Sequence, residues 1–374
     1  MKKELSPDFL THPVVFCVEQ EYQIMLPVKS ELLVWVRIAD ENYFDAVNGI
    51  MCSSSQMHRV CVPMKALDVA KEYTVCYRRV IERKPYFTTT EPVQEVTYSF
   101  QPIDKTDHIN IYQLADTHGR VREAICAAEY FREDLDLLIL NGDIADHSGS
   151  FTNILMIYQI AAGVTEGGIP CVFSRGNHDL RGACAEQLAA YTPNSNGRSY
   201  YTFRAGPVWG MVLDCGEDKA DEHPEYGNTV CCHTFRRQEA EFIRAVADGS
   251  HAEGVLYRLV ISHVPFTYDN METDHDGETP FNIEGPLFTQ WARDLKELVQ
   301  PHYMLCGHLH VCEISYPGGP MDHKGQCCPV IIGSKLKTLD EKEEGYTGTA
   351  ITLERDRAEI GFTDNLGNED IWVV

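Results

Sequence analysis

The chain has 374 residues, of which 44% are hydrophobic and 24% charged, values typical of globular proteins and not of disordered, collagen-like or coiled-coil chains. Its formal net charge is −24, and most of the excess of acidic residues follows residue 105. Proteins bind nucleic acids and anionic lipids through lysine and arginine, and a surface this acidic should repel both. Neither nucleic acid nor membrane is therefore expected as a partner.

The sequence predicts a cytoplasmic protein. It contains no run of about 18 apolar residues that could form a transmembrane helix. The first residues, MKKELSPDFLTHP, include two lysines but no apolar stretch of the kind that a secretory signal needs. The 14 cysteines are therefore expected to be reduced thiols.

The first predicted elements are short strands between residues 14 and 100. Six segments rich in Val, Ile, Tyr and Phe alternate there with polar or turn residues: VVFCV, YQIML, LLVWVRI, RVCVP, YTVCYRRVI and VTYSF. Several short strands within about 100 residues are typical of a β-sandwich. We place the domain boundary in the polar segment 101–108, which predicts a sandwich over 1–105 and a second domain over 106–374.

One detail makes the sandwich prediction more specific. Leu67 is followed six residues later by Tyr73, which opens an alternating strand. This arrangement is similar to the tyrosine corner of fibronectin type III and immunoglobulin-like modules. The first 105 residues are therefore expected to form an all-β sandwich of the immunoglobulin or fibronectin III type.

After the boundary, strands and helices alternate. Apolar segments predict buried strands, and apolar residues at helical spacing predict amphipathic helices between them. The predicted strands are 109–114, 135–140, 170–174, 255–262 and 303–306, and the predicted helices cover 121–131, 151–162, 235–246 and 287–298. Such alternation predicts an α/β domain with largely parallel strands.

Two loops of this domain are rich in acidic residues. They span Glu217–Glu225 and Asp269–Glu284, and the second comes soon after the predicted strand 255–262. One interpretation is a solvated surface loop, and the other is a rim over a ligand site. The sequence leaves both interpretations open.

Polar clusters follow five of the predicted strands. Ligands bind outside the carboxyl ends of strands in α/β sheets, so we expect all five clusters to meet at one edge. Their carboxylate, amide and imidazole donors suit manganese, iron or zinc, and not a structural zinc–cysteine site. Glycines beside them would let the backbone turn sharply. The clusters are Asp116-Thr117-His118, Gly142-Asp143 with Asp146-His147, Gly176-Asn177-His178-Asp179, His263, and Gly307-His308-Leu309-His310.

In this order, the motifs D-x-H, G-D, G-N-H-D, H and G-H-x-H resemble those of the calcineurin-like metallophosphoesterase superfamily. The resemblance covers residues 106–374. It implies a four-layer αββα fold, in which two mixed sheets lie between helices, and a dinuclear metal centre. Motif position implies that Asp116, His118 and His310 hold the first metal. By the same comparison, Asn177, His263 and His308 hold the second metal, and Asp143 bridges the two.

The resemblance also implies an activity. A small phosphorylated substrate, either a phosphomonoester or a phosphodiester, would be hydrolysed by metal-bound hydroxide at two divalent ions, with manganese, iron and zinc as the candidates. His178 would be the general acid, with Asp146 as the carboxylate that orients it. Arg120, His147 and Arg175 are candidate phosphate contacts, with a plain surface position as the alternative. The alternative function is a catalytically silent binding or scaffold protein that retains the fold.

A second resemblance concerns the order of the two domains. Purple acid phosphatases also have a fibronectin-like sandwich before this catalytic fold. Their D-x-G motif is replaced here by Asp116-Thr117-His118, and their tyrosine three residues after the bridging aspartate is replaced by Asp146. The sequence therefore predicts a different metal site without a tyrosine ligand, and hence no tyrosinate-to-iron colour.

Overall fold

The computed structural model describes residues 3–246, 254–269, 283–340, 343–355 and 357–374. The strands are β1 Val14–Val18, β2 Glu21–Pro27, β3 Leu32–Ile38, β4 Glu41–Phe44, β5 Ala46–Val47, β6 Ile50–Met51, β7 Met57–Pro63, β8 Glu72–Glu82, β9 Thr89–Thr90, β10 Gln94–Ser99, β11 His108–Leu114, β12 Leu137–Asn141, β13 Pro170–Ser174, β14 Tyr201–Ala205, β15 Val208–Leu213, β16 Tyr257–Ser262, β17 Tyr303–Cys306, β18 Glu313–Ser315, β19 Val330–Ile332, β20 Lys335–Asp340, β21 Glu343–Glu354, β22 Arg357–Asp364 and β23 Glu369–Val373. The helices are α1 Met64–Ala70, α2 Val121–Ala128, α3 Phe151–Thr165, α4 Leu188–Tyr191, α5 Cys232–Val246 and α6 Gly285–Asp294, which continues as a π-helical turn over Leu295–Val299. Among these helices, none is long and apolar enough to span a membrane.

The predicted elements of the C-terminal part are confirmed. Strands β13 and β17 have the predicted bounds, and β11, β12 and β16 differ from theirs by one or two residues. The helices predicted from apolar spacing are α2, α3, α5 and α6. These elements were predictable because each has a continuous local pattern: buried strands are apolar throughout, and the helices have an apolar face.

Two mixed sheets form the centre of the molecule. The first has the order β23-β22-β21-β11-β12-β13-β1-β2-β7, with β20 beside β21, and the second has the order β14-β15-β16-β17-β19-β18. Strands β11, β12 and β13 run parallel, as do β15, β16, β17 and β19. The carboxyl ends of these parallel strands are where the polar clusters begin.

Helices cover the outer face of each sheet. Helix α3 buries Ile154 and Tyr158 in one hydrophobic cluster with Leu138 of β12. On the second sheet, Trp291 of α6 lies in a cluster with Val260 of β16. A third hydrophobic cluster includes residues from the inner faces of both sheets. The layers therefore follow the order helix, sheet, sheet, helix, which confirms the predicted four-layer αββα fold.

The N-terminal residues form the predicted β-sandwich, but one of its two sheets continues into the rest of the molecule. Its outer sheet has the order β10-β8-β3-β4, and its inner sheet consists of β1, β2 and β7. Strand β1 pairs in parallel with β13, with Val15 opposite Pro170. The same hydrophobic cluster contains Val36 of β3 and Val172 of β13. The predicted division into 1–105 and 106–374 therefore separates segments that share a sheet and a core.

Tyr73 does not form the tyrosine corner that the sequence predicted. In such a corner the hydroxyl bonds to backbone a few residues upstream. The Tyr73 hydroxyl instead donates to the carbonyl of Gly167, in the turn between α3 and β13, at 2.8 Å. A Cβ at Gly167 would lie 2.9 Å from this hydroxyl, and its φ is +79°, so the close approach requires glycine. The bond ties the sandwich to the segment that leads into β13.

Replacing Tyr73 with Phe should therefore destabilise the whole protein, because the buried carbonyl of Gly167 would lose its donor. We expect the free energy of unfolding to fall by about 1–3 kcal/mol, measured by urea denaturation. The control is Tyr86→Phe, since Tyr86 is 81% exposed and its change should stay within about 0.5 kcal/mol. A Tyr73→Phe protein as stable as the wild type would contradict this role.

Candidate metal centre

The structure brings the predicted metal ligands together at one edge of the two sheets. Asp116, His118 and His310 form one group, and Asp143, His263 and His308 form another; within each group one ligand atom per residue lies within 4.8 Å of the others. The first group therefore coincides with the predicted ligands of one metal. The second joins the predicted bridging aspartate to the two histidines predicted for the other metal.

Five of the predicted ligands have backbone φ values in the left-handed region. They are Asp116, His118, Asp143, His308 and His310, with φ between 43° and 70°. This conformation is uncommon outside glycine, costs on the order of 1–3 kcal/mol per residue, and is concentrated at functional sites. Backbone hydrogen bonds hold it: Asp116 N–H donates to the Gly142 carbonyl, and His118 N–H donates to the Asp143 carbonyl, both at 3.1 Å.

Three glycines leave the room that these loops need, as the sequence predicted. A Cβ at Gly142 would lie 2.6 Å from Gly176, and one at Gly176 would lie 2.2 Å from Asp143 Oδ1. At Gly307 it would lie 2.7 Å from Asp116 Oδ2. Any larger residue at these positions would displace a predicted ligand.

The buried donor atoms fit a cation. Asp116 Oδ1 and His263 Nε2 are buried without a hydrogen-bond partner. His310 Nε2 lies 3.4 Å from the same Asp116 oxygen, and His263 Nε2 lies 3.1 Å from Asp143 Oδ2. Buried polar atoms usually have partners, and a cation would satisfy these buried imidazole and carboxylate atoms, which face one another. The donor set of imidazole and carboxylate suits a divalent transition metal.

Asn177 lies where it can join the second group. In one orientation of its amide, the oxygen is 2.8 Å from His308 Nδ1 and 3.3 Å from Asp143 Oδ2, so three electron-pair donors meet. In the other orientation, the NH₂ group donates to both atoms, and the oxygen accepts from Arg181 Nη2 at 3.2 Å. A cation among the three atoms would favour the first orientation. Rotation of the amide alone thus converts a hydrogen-bonding group into the predicted ligand.

The two histidines of the second group present opposite ring nitrogens. His263 Nδ1 lies 2.6 Å from the Asn141 carbonyl, which can only accept, so Nδ1 carries the hydrogen and Nε2 faces the carboxylates. His308 turns Nδ1 towards Asn177, and its Nε2 lies 3.7 Å from Asp218 Oδ2. Outer partners of this kind set the orientation of metal-binding imidazoles.

The first acidic loop therefore borders the site. Asp218, which the sequence did not single out, is nearly buried and accepts a hydrogen bond from Tyr226 at 3.0 Å. This supports the interpretation of Glu217–Glu225 as a rim. The second acidic loop, Asp269–Glu284, falls almost entirely outside the described residues.

The buried charges strongly perturb one another. Burial would raise the pKa of Asp143, but the neighbouring His263 lowers it well below its ordinary value. Burial also lowers the pKa of His263, yet Asp143 and Asp116 outweigh this and raise it to about 10. Burial and the charge of Asp143 raise the pKa of Asp179 to about 7. Asp179, the last residue of G-N-H-D, accepts a hydrogen bond from Gly176 N–H at 2.8 Å and so supports the loop that carries Asn177.

His178 forms a hydrogen bond with the loop that carries Asp146. Its Nδ1 donates to the backbone carbonyl of Asp146 at 2.8 Å. The Asp146 carboxylate is 70% exposed; its Oδ1 lies 3.7 Å from that nitrogen and 3.3 Å from His118 Nδ1. The hydrogen bond of His178 thus goes to the Asp146 carbonyl, while the Asp146 carboxylate lies within ion-pair distance of the same nitrogen, so its predicted pairing with His178 stays a prediction. Sequence spacing could not distinguish a contact with the carbonyl from one with the carboxylate, because both groups belong to Asp146.

The three predicted phosphate contacts have protein partners. Arg120 Nη1 donates to the Gly345 carbonyl at 2.7 Å. His147 Nδ1 accepts from Gly149 N–H at 3.0 Å. Arg175 Nε donates to Asp214 Oδ2 at 2.6 Å, and its guanidinium lies over the Phe235 ring. A protein partner does not prevent a second contact, so the phosphate role of Arg120, His147 and Arg175 stays a prediction.

Arg181, which no motif in the sequence marks, also borders the site. Its Nη1 lies 3.4 Å from His178 Nε2, and its Nε and Nη2 each donate to the Glu217 carboxylate at 2.9 Å. The available signal was slight: an arginine two residues after the G-N-H-D motif.

Comparison with known proteins agrees with this geometry. The family model of the calcineurin-like phosphoesterases matches residues 109–312. The chain belongs to this family. No curated protein sequence matches it significantly.

Two solved structures share the fold along the whole chain. One is the purple acid phosphatase PPD1 from yellow lupin (Lupinus luteus) seeds, with a TM-score of 0.63 and 11% identity over 99% of this chain and 75% of that one. The other is PhoD, with a TM-score of 0.59 and 10% identity over 100% of this chain and 90% of that one. The matches include the N-terminal β-rich part. At such low identity they show the fold alone, and the site of this calcineurin-like phosphoesterase has to be judged from its own residues.

Tyr158 illustrates the difference from a tyrosine-ligated centre. It is the next tyrosine after Asp143 in the sequence. Its ring is fully buried in α3 against Phe16, and its hydroxyl donates to the Tyr191 carbonyl at 2.5 Å. Tyr158 therefore packs between α3 and the first sheet.

Gly176→Ala should weaken metal binding by the second group, because the new methyl group would overlap the Asp143 carboxylate. Elemental analysis after reconstitution with manganese should find clearly less metal per chain than in the wild type. Gly285→Ala is the matched control, since no atom lies within 4 Å of its added Cβ. Equal metal content in the Gly176→Ala and wild-type proteins would contradict the proposed packing.

Proposed function

We propose that this phosphoesterase hydrolyses the phosphomonoester or phosphodiester bond of a small substrate, using two divalent cations such as manganese, iron or zinc. The observation that carries the proposal is the convergence of two groups of donors at one sheet edge. Asp116, His118 and His310 would hold one cation, and Asn177, His263 and His308 the other, with Asp143 between them. When bound, such cations activate water as a nucleophile and offset the charge that develops on phosphoryl oxygens.

Asp143 is well placed to be a ligand of both proposed cations. Its Oδ1 accepts a hydrogen bond from the backbone N–H of His178 at 2.9 Å, which fixes the plane of the carboxylate. Its Oδ2 faces His263 at 3.1 Å. Its side chain is almost fully buried, so bulk water competes little for these oxygens. A rigid, buried carboxylate of this kind supports the role of a bridging ligand.

His178 would supply the proton that the leaving oxygen needs. Because Nδ1 donates to the Asp146 carbonyl, its hydrogen stays in place through the reaction. The imidazolium form carries a second hydrogen on Nε2, and this one would pass to the leaving group, which leaves a neutral ring with Nδ1 protonated. The Asp146 carbonyl thus fixes which nitrogen acts as the acid.

Composition supports a small substrate and a reducing compartment. The net charge of −24 disfavours nucleic acid as a substrate, whereas a small phosphoester needs only local positive charge. All 14 cysteines are free thiols. We infer a cytoplasmic site of action from these thiols.

The activity itself can be tested with p-nitrophenyl phosphate and bis-p-nitrophenyl phosphate, on manganese-loaded protein and on protein stripped by a chelator. Hydrolysis that depends on metal is the expected result, and the ratio of the two rates separates monoesterase from diesterase activity. A metal-loaded protein that hydrolyses neither these compounds nor nucleotides, cyclic nucleotides and phospholipid headgroup esters would favour the silent scaffold.

Asp143→Asn should affect metal content and activity more than loss of any other single ligand, because both cations would lose charge at a shared carboxylate. We expect close to two manganese ions in the wild type, fewer in the variant, and an activity at least about 100-fold lower. Asp104→Asn is the control, since its carboxylate is 72% exposed. Full activity in Asp143→Asn would remove the proposed mechanism.

His178→Ala should separate proton transfer from metal binding. The variant should keep its metals but lose about 10²–10⁴-fold in kcat on alkyl phosphates, whose leaving group needs a proton. Its loss on p-nitrophenyl phosphate should be much smaller, because nitrophenolate leaves without one. His233→Ala serves as the control, since that imidazole is 58% exposed. Equal losses on both kinds of substrate would argue against a general acid.

A further inference from the structure

Arg181 lies between the candidate metal centre and the first acidic loop. It follows the short 3₁₀ helix His178–Leu180, whose first residue is the proposed general acid. On its guanidinium, Nη1 lies 3.4 Å from His178 Nε2 and 3.1 Å from Glu225 Oε1, and Nε and Nη2 bind Glu217. Nη2 also lies 3.2 Å from the Asn177 amide and 3.9 Å from Asp218 Oδ1. Glu217 and Glu225 hold this arginine in very different ways.

Glu217 holds one edge of the guanidinium rigidly. Its two oxygens accept from Nε and Nη2 at 2.9 Å each, the bidentate geometry that fixes both position and plane. The Glu217 side chain is fully buried, and its backbone carbonyl accepts a hydrogen bond from Arg236. The orientation of Arg181 is therefore built into the fold.

Glu225 meets the opposite corner loosely. A single oxygen approaches Nη1, the carboxylate is 38% exposed, and it is shared with Lys219 Nζ at 2.8 Å. This carboxylate could turn towards solvent while keeping its contact with lysine. Its position shows that the Nη1 corner accepts an anionic oxygen next to His178.

We propose that Arg181 binds a phosphoryl oxygen of the substrate through Nη1, that Glu217 is its positioning residue, and that Glu225 is a competitor which the substrate displaces. The inference rests on the proposed phosphoesterase function and adds a substrate contact to it. The sequence predicted such a contact at Arg120, His147 or Arg175. An oxygen bound at Nη1 would place the ester close to His178 Nε2, from which the leaving group takes its proton. A planar guanidinium suits this task, since it can donate to a carboxylate on one edge and to a phosphoryl oxygen at the other.

The arginine keeps its charge in this setting. Burial alone would lower the pKa of Arg181, but the ion pairs with Glu217 and Glu225 raise it above its ordinary value. Removing Glu225 would leave Glu217 as the main counter-charge, so the guanidinium would attract an incoming anion more strongly. Removing Glu217 would instead release the side chain from its fixed position. The two acidic residues should therefore act in opposite directions on phosphate binding.

The test uses the manganese-loaded full chain with Arg181→Gln, Arg181→Lys, Glu217→Gln and Glu225→Gln. Inorganic phosphate is the probe in calorimetric binding, and p-nitrophenyl phosphate gives KM and kcat. Arg181→Gln should weaken phosphate binding and raise KM by about 10–100-fold. Arg181→Lys should recover only part of this, because an ammonium cannot make the two-bond contact with Glu217. Glu217→Gln should weaken phosphate binding, and Glu225→Gln should strengthen it about 2–10-fold.

Controls come from another guanidinium–carboxylate pair joined by two hydrogen bonds, on the N-terminal sandwich. Arg37 donates to Glu95 through two bonds of 2.8 and 2.7 Å, so Arg37→Gln and Glu95→Gln should leave phosphate binding unchanged. The opposite signs expected at Glu217 and Glu225 cannot arise from a general loss of structure. If thermal melting shows that Arg181→Gln is not folded, the phosphate affinity of Glu225→Gln, whose substitution is on the surface, still tests the proposal.

Two results would overturn the inference: a phosphate affinity that Arg181→Gln leaves unchanged, or a Glu225→Gln variant that binds phosphate as weakly as Glu217→Gln does. Failure of the proposed function is a different result. In that case the wild-type protein hydrolyses no phosphoester, whatever its affinity for phosphate and whatever the variants do to that affinity.

Discussion

The candidate site depends on keeping two carboxylates, Asp116 and Asp143, buried at the ends of the neighbouring strands β11 and β12. Each is at most 1% exposed. A buried charge costs several kcal/mol unless opposite charges or hydrogen-bond donors surround it. The left-handed backbone at both residues, the glycines beside them and the surrounding histidines meet this constraint together. The two proposed cations would complete it.

The site also requires a fixed separation between the two sheets, because each contributes ligands. Buried amides provide part of that connection. Gln113 Nε2 donates to the Cys306 carbonyl at 3.0 Å, and Asn141 Nδ2 donates to the Leu305 carbonyl at 3.1 Å. These bonds join β11 and β12 to β17 directly behind the ligands. Asp116 and Asp143 on one sheet thereby meet His308 on the other in a defined register.

The N-terminal sandwich contributes to the site through strand pairing. Strand β13 ends just before Asn177 and His178, and β1 pairs along it on the side away from β12. With β1 in place, β13 is an interior strand with neighbours on both sides. The bond from Tyr73 to Gly167 holds the turn that leads into the same strand. The sandwich thus supports the segment that carries a proposed ligand, the proposed acid and, two residues beyond the motif, Arg181.

The sequence by itself determined the family motifs, most strands and helices between residues 108 and 306, and the predicted ligands that meet at the sheet edge; it did not predict β14, β15 or α4. The features it determined are local properties: apolar periodicity marks each element, and a polar residue directly after a parallel strand lies at the carboxyl edge of the sheet. Only the tertiary structure decided that β1 pairs with β13, that Tyr73 bonds to Gly167, and that His178 Nδ1 donates to the Asp146 carbonyl. It also decided that Arg181, and not Arg175, lies beside His178. Each of these contacts depends on which distant segment a residue packs against and which rotamer its side chain adopts. Neither strand pairing between distant segments nor the direction of a guanidinium group produces a periodic pattern in the sequence.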